Sequence, residues 1–517
     1  MANRSLFQSV VGRWLPGTNT TNSEGAPAYA LSARHALAQY AATGCFNATF
    51  YATAEKQLAE IQRLAMTVEP EFVAKTALYC RRQGAMKDMP AYLCAVLSVR
   101  SPGLMAEIFD RVIDSPKMLR NFVQIMRSGA IGRKSLGTLP KRLVQTWLEQ
   151  RSDEALFIGS LGNAPSLADI IRMVHPKPAT VSRKALYAHL IGREYVAADL
   201  PELVQEFEAF KRDTLRAVPD VPFQMLTSLK LSAQAWRVVA QRASWQSARM
   251  NLNTFARHGV FKDDVAVLEM ARKLADADLI RTARAMPYQL LAAYRMTANA
   301  PQPIAAALQA AMEIATRNVP EFPGRVVVCP DVSGSMVSPV TGYRKGATSA
   351  VRCVDVAALA AAAILRRNPS ATVIPFATDV VPLRLNAGDT VTTNAERLAA
   401  VGGGGTNCSA PLQQLNRSGT RADLVIYISD NQSWIDAKAL GQATQTMRQW
   451  NTLKKRIPKA RMICIDLVPN ANSQTMERTD ILNIGGFSDA VFEVARLFAS
   501  GDLHPEHWVA VIEGQRI

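Results

Sequence analysis

Apolar residues recur every three or four positions along most of residues 30–318, which is the period of an amphipathic α-helix. Proline, glycine and short polar turns separate these segments, and the two-residue alternation of a strand is hard to find among them. Clear examples of the predicted helices are 54–64, 90–98, 143–148 and 264–275. The pattern predicts an array of short antiparallel helices, an α-solenoid. A compact helical domain is the alternative, because no fixed sequence period is evident.

The pattern changes at residues 318–324, where two prolines and a glycine follow the last helix. Beyond this point, short β-branched runs alternate with helical segments, which is typical of buried parallel strands in a doubly wound sheet. The predicted strands are 325–329, 371–376, 423–428 and 461–467, with a further candidate at 380–385, and the predicted helices are 355–367, 410–416, 444–456 and 488–498. The sequence therefore predicts an α + α/β protein with a helical domain at 1–320 and a doubly wound domain at 321–517.

Composition narrows the class of protein. Hydrophobic residues make up 48% and charged residues 20% of the 517 residues, the balance of a folded globular chain. The sequence contains no run of about 18 uncharged apolar residues, the length that a membrane-spanning helix needs. None of the 7 cysteines lies in a CxxC pair, so we expect free thiols in a reducing compartment. We therefore expect a cytoplasmic protein that does not associate with a membrane.

The net charge of +16 is distributed unevenly along the chain. From residue 321 onward, 20 basic residues are balanced by 17 acidic ones, so the excess lies almost wholly in the first 320 residues. Such asymmetry indicates a polyanionic partner, most often nucleic acid. The alternative is a protein that is basic without binding a polyanion.

Two stretches without any acidic residue, 115–148 and 170–193, carry much of this excess. Lysine and arginine neutralise phosphates and release counterions, so these stretches predict RNA contacts. Two solvated helix faces are the alternative. Aromatic residues are few there, which favours recognition by shape and backbone charge over base stacking. The predicted RNA-binding residues are Lys117, Arg120, Arg127, Arg133, Lys134, Lys141, Arg142, Arg172, His175, Lys177, Arg183 and Lys184.

Candidate metal ligands follow the first strand of the doubly wound domain. Asp331, Ser333 and Ser335 come directly after that strand, at the sheet edge where open α/β folds bind ligands. Thr406 follows a run of four glycines, and Asp430 ends the strand at 423–428. All five offer hard oxygen donors, which suit Mg²⁺ first, with Mn²⁺ or Ca²⁺ as alternatives, and do not suit zinc.

The order and spacing of these three segments resemble the metal-ion-dependent adhesion site of von Willebrand factor A-type domains. The alternative is a loop without metal, in which Asp331 caps a helix and Ser333 lies in a turn. A phosphate-binding P-loop is not supported, because no lysine follows the glycines at 402–405. No nearby histidine or glutamate is placed as a general base, so we do not expect an enzyme. A metal-dependent nuclease would need more carboxylates than Asp331 and Asp430.

A helical array followed by an A-type domain resembles the Ro autoantigen family, whose helical part is called the TROVE module. The resemblance covers nearly the whole chain, and its marks are 23–25 with Tyr29, 81–92, 175–178 and 285–288, in that order. It implies HEAT-like helical repeats that form a ring closed by the A-type domain. It also implies that a small noncoding Y-like RNA binds the outer basic surface and that single-stranded ends of misfolded or structured RNA enter the central hole. The implied protein partner is an exoribonuclease or another RNA-processing protein.

The leading hypothesis is thus a non-catalytic RNA-binding protein that scaffolds RNA quality control or processing. The alternative hypothesis is a metal-dependent protein-binding adaptor, in which the A-type domain site captures an acidic partner.

Overall fold

The computed structural model describes residues 15–43, 46–283, 287–296, 300–343, 351–436, 439–503 and 506–517. Its strands are β1 (Thr20–Thr21), β2 (Pro27–Ala30), β3 (Val326–Pro330), β4 (Thr372–Val373), β5 (Leu424–Ser429), β6 (Arg461–Asp466), β7 (Asn472–Ser473) and β8 (Ile481–Gly485). The first helices are α1 (Ala33–Thr43), α2 (Ala54–Thr67), α3 (Pro70–Arg82), α4 (Asp88–Arg100), α5 (Pro102–Val112), α6 (Pro116–Ser128), α7 (Thr138–Glu149), α8 (Asp153–Gly159), α9 (Leu167–Val174), α10 (Val181–Ile191), α11 (Glu202–Arg212) and α12 (Ala233–Arg242). They are followed by α13 (Trp245–Met250), α14 (Leu252–Arg257), α15 (Asp264–Leu274), α16 (Ala277–Thr282), α17 (Pro287–Met296), α18 (Gln302–Ala315), α19 (Cys353–Arg367), α20 (Val391–Ala399), α21 (Ala410–Arg417), α22 (Gln445–Arg456), α23 (Asp489–Ser500) and α24 (His507–Glu513).

The chain divides into two compact units, which we call the sheet unit and the helical unit. The sheet unit comprises residues 1–68, 286–288 and 316–514, and the helical unit comprises 69–285, 289–315 and 515–517. The last segment of the sheet unit begins close to the predicted boundary at residue 320. Residues 15–43 and 46–68, however, which the sequence pattern groups with the helices, belong to the sheet unit.

The sheet unit is built on a parallel five-stranded sheet with the strand order β4-β3-β5-β6-β8. Strands β3 and β5 are buried along their whole length, as their uninterrupted apolar sequences predict. The chain passes from β3 to β4 on one side and returns to β5 on the other. The strand order therefore reverses between β3 and β5, and such a switch point is where doubly wound sheets place ligands.

The predicted strands and helices of the doubly wound domain are confirmed, with one exception. The candidate strand at 380–385 is wrong, because the chain turns back at Ala377, whose N–H bonds to the Asp379 carbonyl at 2.9 Å. Pro382 cannot donate a ladder hydrogen bond, and Val380 keeps only an isolated bridge to Phe376. Strand β8 and helices α20 and α24 were not predicted from the pattern.

The N-terminal segment, residues 15–43 and 46–68, extends the sheet unit. Strand β2 pairs with both β1 and β7 in antiparallel fashion, which forms a second, three-stranded sheet. Helix α1 packs against β8 and α24. Its residue Gln39 is fully buried and donates to the Asp466 carboxylate at 3.1 Å. These contacts explain why residues 15–68 pack with the sheet unit.

In the helical unit, helices pack mainly against the next one or two along the chain, which is typical of an α-solenoid. Helix α4 packs against α3, α5 and α6, and α9 packs against α6, α7 and α10. Between residues 31 and 315, the described part of the chain contains helices and turns and no strand, as predicted. A helical solenoid with a doubly wound domain is thus confirmed, while its closure into a ring stays a prediction.

Among the described residues, no helix combines the length and the apolarity that crossing a membrane requires. The six cysteines described, which are Cys80, Cys94, Cys329, Cys353, Cys408 and Cys464, are buried and free.

Candidate metal centre and nucleic-acid interface

The first loop of the candidate metal centre begins where β3 ends. Asp331 is completely buried, and its two carboxylate oxygens have different partners. Oδ1 accepts the N–H of Ser333 at 2.8 Å, and Oδ2 accepts the hydroxyl of Ser429 at 2.6 Å. The hydroxyls of Ser333 and Ser335 lie 3.4 Å apart. The strand end and the turn that follows it therefore gather one carboxylate and two hydroxyls, as the sequence predicts.

The second carboxylate of the centre, Asp430, follows β5 and is 2% exposed. The Gln432 N–H donates to its Oδ1 at 3.4 Å, and the Tyr51 hydroxyl donates to its Oδ2 at 3.3 Å. Ser335 also hydrogen-bonds to this carboxylate. Because Ser335 belongs to the first loop, this contact joins the loops that follow β3 and β5.

The glycine-rich loop lies directly against the first loop. Gly403 donates to the Val332 carbonyl at 2.8 Å, and Gly334 donates to the Gly404 carbonyl at 2.9 Å. Gly402 has a φ of 109°, and a Cβ at this position would lie 2.1 Å from the Val332 carbonyl oxygen. Only glycine fits so close to a neighbouring backbone.

Thr406, which follows the glycines, is 2% exposed. Its carbonyl accepts the N–H of Trp434 at 3.1 Å, which ties the glycine-rich loop to the loop after Asp430. The structure thus brings the three predicted metal-binding segments together at one edge of the sheet.

The electrostatics of this centre suit a cation. Burial raises the pKa of Asp331, and the nearby Asp430 carboxylate raises it further. Burial likewise raises the pKa of Asp430. In the described part of the chain, no basic side chain forms an ion pair with either carboxylate. A cation would offset both the burial and the repulsion of these charges.

The donors that the five residues offer are two carboxylates and three hydroxyls, all of them oxygens. Such a donor set fits Mg²⁺, Mn²⁺ or Ca²⁺. The structure adds Ser429 and Tyr51 to the surroundings of the centre. Ser429 could have been inferred because it precedes Asp430 at the same strand end. No sequence signal indicates Tyr51, which lies nearly 300 residues before the metal-site loops.

The predicted RNA-binding residues fall into two groups according to their contacts. Six have exposed side chains that, within the described residues, form neither a hydrogen bond nor an ion pair. We call these six the free basic set: Lys117, Arg127, Lys134, Arg142, Lys177 and Lys184. His175 is also exposed, in a left-handed conformation at the end of α9, and Lys141 is half-buried.

The remaining predicted arginines have partners within the helical unit. Arg183 is largely buried, forms an ion pair with Asp153 and donates to the Leu148 carbonyl at 2.8 Å. Its guanidinium is therefore occupied in holding helices together, and the structure does not favour an RNA contact there. Arg133 donates to the Ser98 carbonyl at 3.2 Å, and Arg172 donates to the Ile191 carbonyl at 2.6 Å.

Arg120 is half-buried against Gly162, and burial lowers the pKa of its guanidinium.

The two acid-free stretches lie on neighbouring helices. Helix α9 packs against α6, α7 and α10, and these four helices carry or flank the whole free basic set. The Gln145 side chain of α7 donates to the Val174 carbonyl at 2.5 Å. Arg142 precedes Gln145 by one helical turn, so it lies on the same side of α7, towards His175 and Lys177. The fold therefore brings basic residues from both stretches close to one another.

Comparisons with known proteins concern the doubly wound domain and the chain as a whole. A family model described as the Ro60 vWA domain matches residues 325–499. The RNA-binding protein RO60 of Deinococcus radiodurans is 24% identical to this chain over 521 aligned positions, which cover 93% of this chain and 95% of that protein.

A solved structure has a similar fold. The crystal structure of the Deinococcus radiodurans RO (RSR) protein superposes with a TM-score of 0.64 at 20% identity, covering 91% of this chain and all of that one. The resemblance to the Ro family is thereby confirmed: residues 325–499 form a von Willebrand factor A domain of the Ro60 type, and the chain has the fold of a Ro protein.

Proposed function

We propose that this protein is a non-catalytic RNA-binding protein that scaffolds RNA quality control or processing. The observation that carries the proposal is the free basic set, six exposed cations without an ion-pair partner among the described residues. Surface cations are usually mixed with acidic neighbours, whereas these lie on adjacent helices and the loops between them, within two acid-free stretches. Such a surface favours the phosphate backbone of a nucleic acid.

The finer proposal follows the likeness to the Deinococcus protein, which is named for RNA binding. A small noncoding Y-like RNA binds the surface of the free basic set through its shape and its phosphates. Misfolded RNA is engaged through a single-stranded end. An exoribonuclease or another RNA-processing protein then acts on RNA that this protein presents.

Charge reversal tests the surface. The full chain carries Lys134→Glu, Arg142→Glu and Lys177→Glu together, and its affinity for a small structured RNA is measured by fluorescence anisotropy at several KCl concentrations. The matched control reverses Arg384, Lys455 and Lys459, which are exposed and form no described ion pair in the sheet unit. Both variants change the net charge equally.

We expect the first variant to lose specific binding and the control to keep most of it, because local charge positions the phosphates. Equal losses in both variants would show that only the overall charge matters. Unchanged affinity in the first variant would remove the free basic set from the RNA-binding surface.

We also propose that Asp331, Ser333, Ser335, Thr406 and Asp430 hold one divalent cation, Mg²⁺ first, with Mn²⁺ or Ca²⁺ as alternatives. The ion would offset the two buried carboxylates and tie together the loops after β3 and β5 and the glycine-rich loop. Isothermal titration of the chelator-treated protein with Mg²⁺ tests this. One binding site that Asp331→Ala abolishes is the expected result, and no heat from the parent protein contradicts the proposal.

A second candidate function is that of an adaptor that captures an acidic partner at this metal centre. It is favoured by the exposed side chains of Trp434 and Ile435, which follow Asp430 by a few residues. Exposed apolar residues beside a site often mark an interaction surface. For an adaptor, Asp331→Ala would abolish partner binding and leave RNA binding intact.

A further inference from the structure

The N-terminal segment places one side chain, Tyr51, against the metal centre of the A-type domain. Its hydroxyl donates to Asp430 Oδ2 at 3.3 Å and also lies within hydrogen-bonding reach of Ser335. In the described part of the chain, no other side chain from outside the A-type domain bonds to the five candidate ligands. Tyr51 therefore contacts the metal centre from within the same chain, although it is not part of the sequence motif that predicts the centre.

The loop that carries Tyr51 is fixed on the A-type domain at a second place. Tyr343 donates its N–H to the Ala48 carbonyl at 2.7 Å, and the Asn47 side chain donates to the Thr341 carbonyl at 2.8 Å. The buried Gln57 side chain in turn donates to the Asn47 carbonyl at 2.8 Å. Residues 341–343 follow the first metal loop by a few positions, so the loop of Tyr51 is held beside the centre.

The burial of these groups shows from which side Tyr51 approaches. Asp331 and Asp430 are almost inaccessible, whereas Tyr51 is half-buried. Its neighbour Phe50 is 54% exposed and packs edge-on against the Tyr51 ring, with 4.9 Å between the ring centroids. The phenol ring thus lies between the buried carboxylates and the solvent.

We propose that Tyr51 closes the solvent side of the metal centre and takes the position through which a carboxylate of another molecule would reach a bound cation. The inference rests on the proposed metal binding. A centre closed in this way is completed within the chain, because the hydroxyl of Tyr51 replaces the group that a partner would provide. Its role is then to fix the N-terminal segment to the A-type domain, and capture of an acidic partner is disfavoured.

Acetate, the smallest carboxylate probe, tests the inference on the full chain loaded with Mn²⁺. Water-proton relaxation reports how many exchanging waters the bound Mn²⁺ carries, and isothermal titration measures acetate binding with and without the ion. The variants are Tyr51→Ala, which removes the ring, and Tyr51→Phe, which removes only the hydroxyl. Tyr343→Phe is the matched control, because its hydroxyl has no described contact with the centre.

For the parent protein and Tyr343→Phe we expect low relaxation and no measurable Mn²⁺-dependent acetate binding. Tyr51→Ala should raise the relaxation and bind acetate at least about tenfold more tightly, the scale of one hydrogen bond to a charged group. Tyr51→Phe should fall between the two. This conservative variant keeps the test valid if Tyr51→Ala unfolds.

Acetate binding that is equal in the parent and both Tyr51 variants, with Mn²⁺ bound throughout, overturns the inference and leaves the metal site intact. The same holds if no variant gains acetate binding. Absence of Mn²⁺ binding from the parent protein would instead contradict the proposed metal site, and the inference with it. RNA affinity, measured in parallel, should be the same in all four proteins, so neither failure affects the proposed RNA binding.

Discussion

The metal centre and the free basic set use charge in opposite ways. Asp331 and Asp430 are buried beside each other, so burial and repulsion raise the pKa of Asp331 and a cation would relieve both. The free basic set is exposed, and its members repel one another only weakly through water and salt. A charged residue therefore indicates a ligand in two different ways. A buried charge needs a partner to offset it, whereas a surface charge is available to a ligand because it forms no ion pair.

Arg183 and Lys184 show that two neighbouring residues can differ in this respect, one buried with partners and the other exposed. Arg183 is largely buried, and its guanidinium is taken by Asp153 and by backbone carbonyls. Lys184, the next residue on α10, is exposed and belongs to the free basic set. Charge along the sequence cannot separate these roles, because successive helix positions point about 100° apart.

The largest effect should come from the variant that reverses Lys134, Arg142 and Lys177. We expect its RNA affinity to fall by about two to three orders of magnitude at low salt, because three phosphate contacts become repulsive. The slope of log affinity against log salt should become shallower by about 2 to 3. Anisotropy titrations at about 50 to 300 mM KCl measure both quantities, because the screening of exposed charges changes strongly over this range. A loss of affinity with an unchanged slope would contradict phosphate contact.

Loss of the proposed Mg²⁺ site should have the next largest effect, confined to the sheet unit. Asp331→Ala should abolish Mg²⁺ binding and with it the stabilisation by Mg²⁺, which is about 2.7 kcal/mol when the ion is at 100 times its Kd. Thermal unfolding with Mg²⁺ or with chelator measures this difference. Asp379→Ala, which removes an exposed carboxylate near the same sheet edge, is the control and should respond to Mg²⁺ like the parent. An Mg²⁺ response retained by Asp331→Ala would exclude this centre.

Two adjacent glycines test whether the close approach of the loops shapes the centre. Gly402 and Gly403 both have φ near 108°, but only at Gly402 would a Cβ meet the Val332 carbonyl. Both alanine variants should carry backbone strain of about 1–2 kcal/mol. Only Gly402→Ala should also weaken Mg²⁺ binding, because the first loop must move away. Equal Mg²⁺ affinities, measured by titration, would show that this contact is not needed.

The gathering of the five candidate ligands could be predicted from sequence because each of them lies at a strand end or in a short loop. Asp331 and Asp430 follow apolar runs that must be parallel strands, and parallel strands end at the same edge of the sheet. The fold of the sheet follows from the same runs. Strand β8, which is as long as β3, was missed because the polar Asn483 interrupts its apolar run. The backbone carbonyl of Asn483 accepts from the buried His35.

The position of the N-terminal segment could not be predicted in this way. Strands β1 and β7 have two residues each, too few to show any alternation. Tyr51 precedes α2 in a loop whose contacts are with residues nearly 300 positions later. Such a contact depends on tertiary packing, which leaves no spacing for a single sequence to show. The basic surface could be predicted in part. The sequence indicated which stretches are basic, but it did not indicate that Arg183 is largely buried.

The smallest expected effect gives the most direct comparison of a buried charge with an exposed one, because the two residues are neighbours in sequence. Arg183→Ala should lower the free energy of unfolding by about 2 kcal/mol, since it leaves the largely buried Asp153 without its partner. Lys184→Ala should change stability by less than about 0.5 kcal/mol, as exposed substitutions usually do. Urea unfolding measures both values.

For RNA the order should reverse. Lys184→Ala should weaken binding about two- to fivefold, the scale of one lost phosphate contact at moderate salt. Arg183→Ala should leave the affinity of the folded protein unchanged, because its guanidinium is already occupied. If Arg183→Ala weakened binding more than Lys184→Ala at equal folded fraction, the ion pair with Asp153 would have to open for RNA. Burial would then no longer separate structural charges from binding charges in this protein.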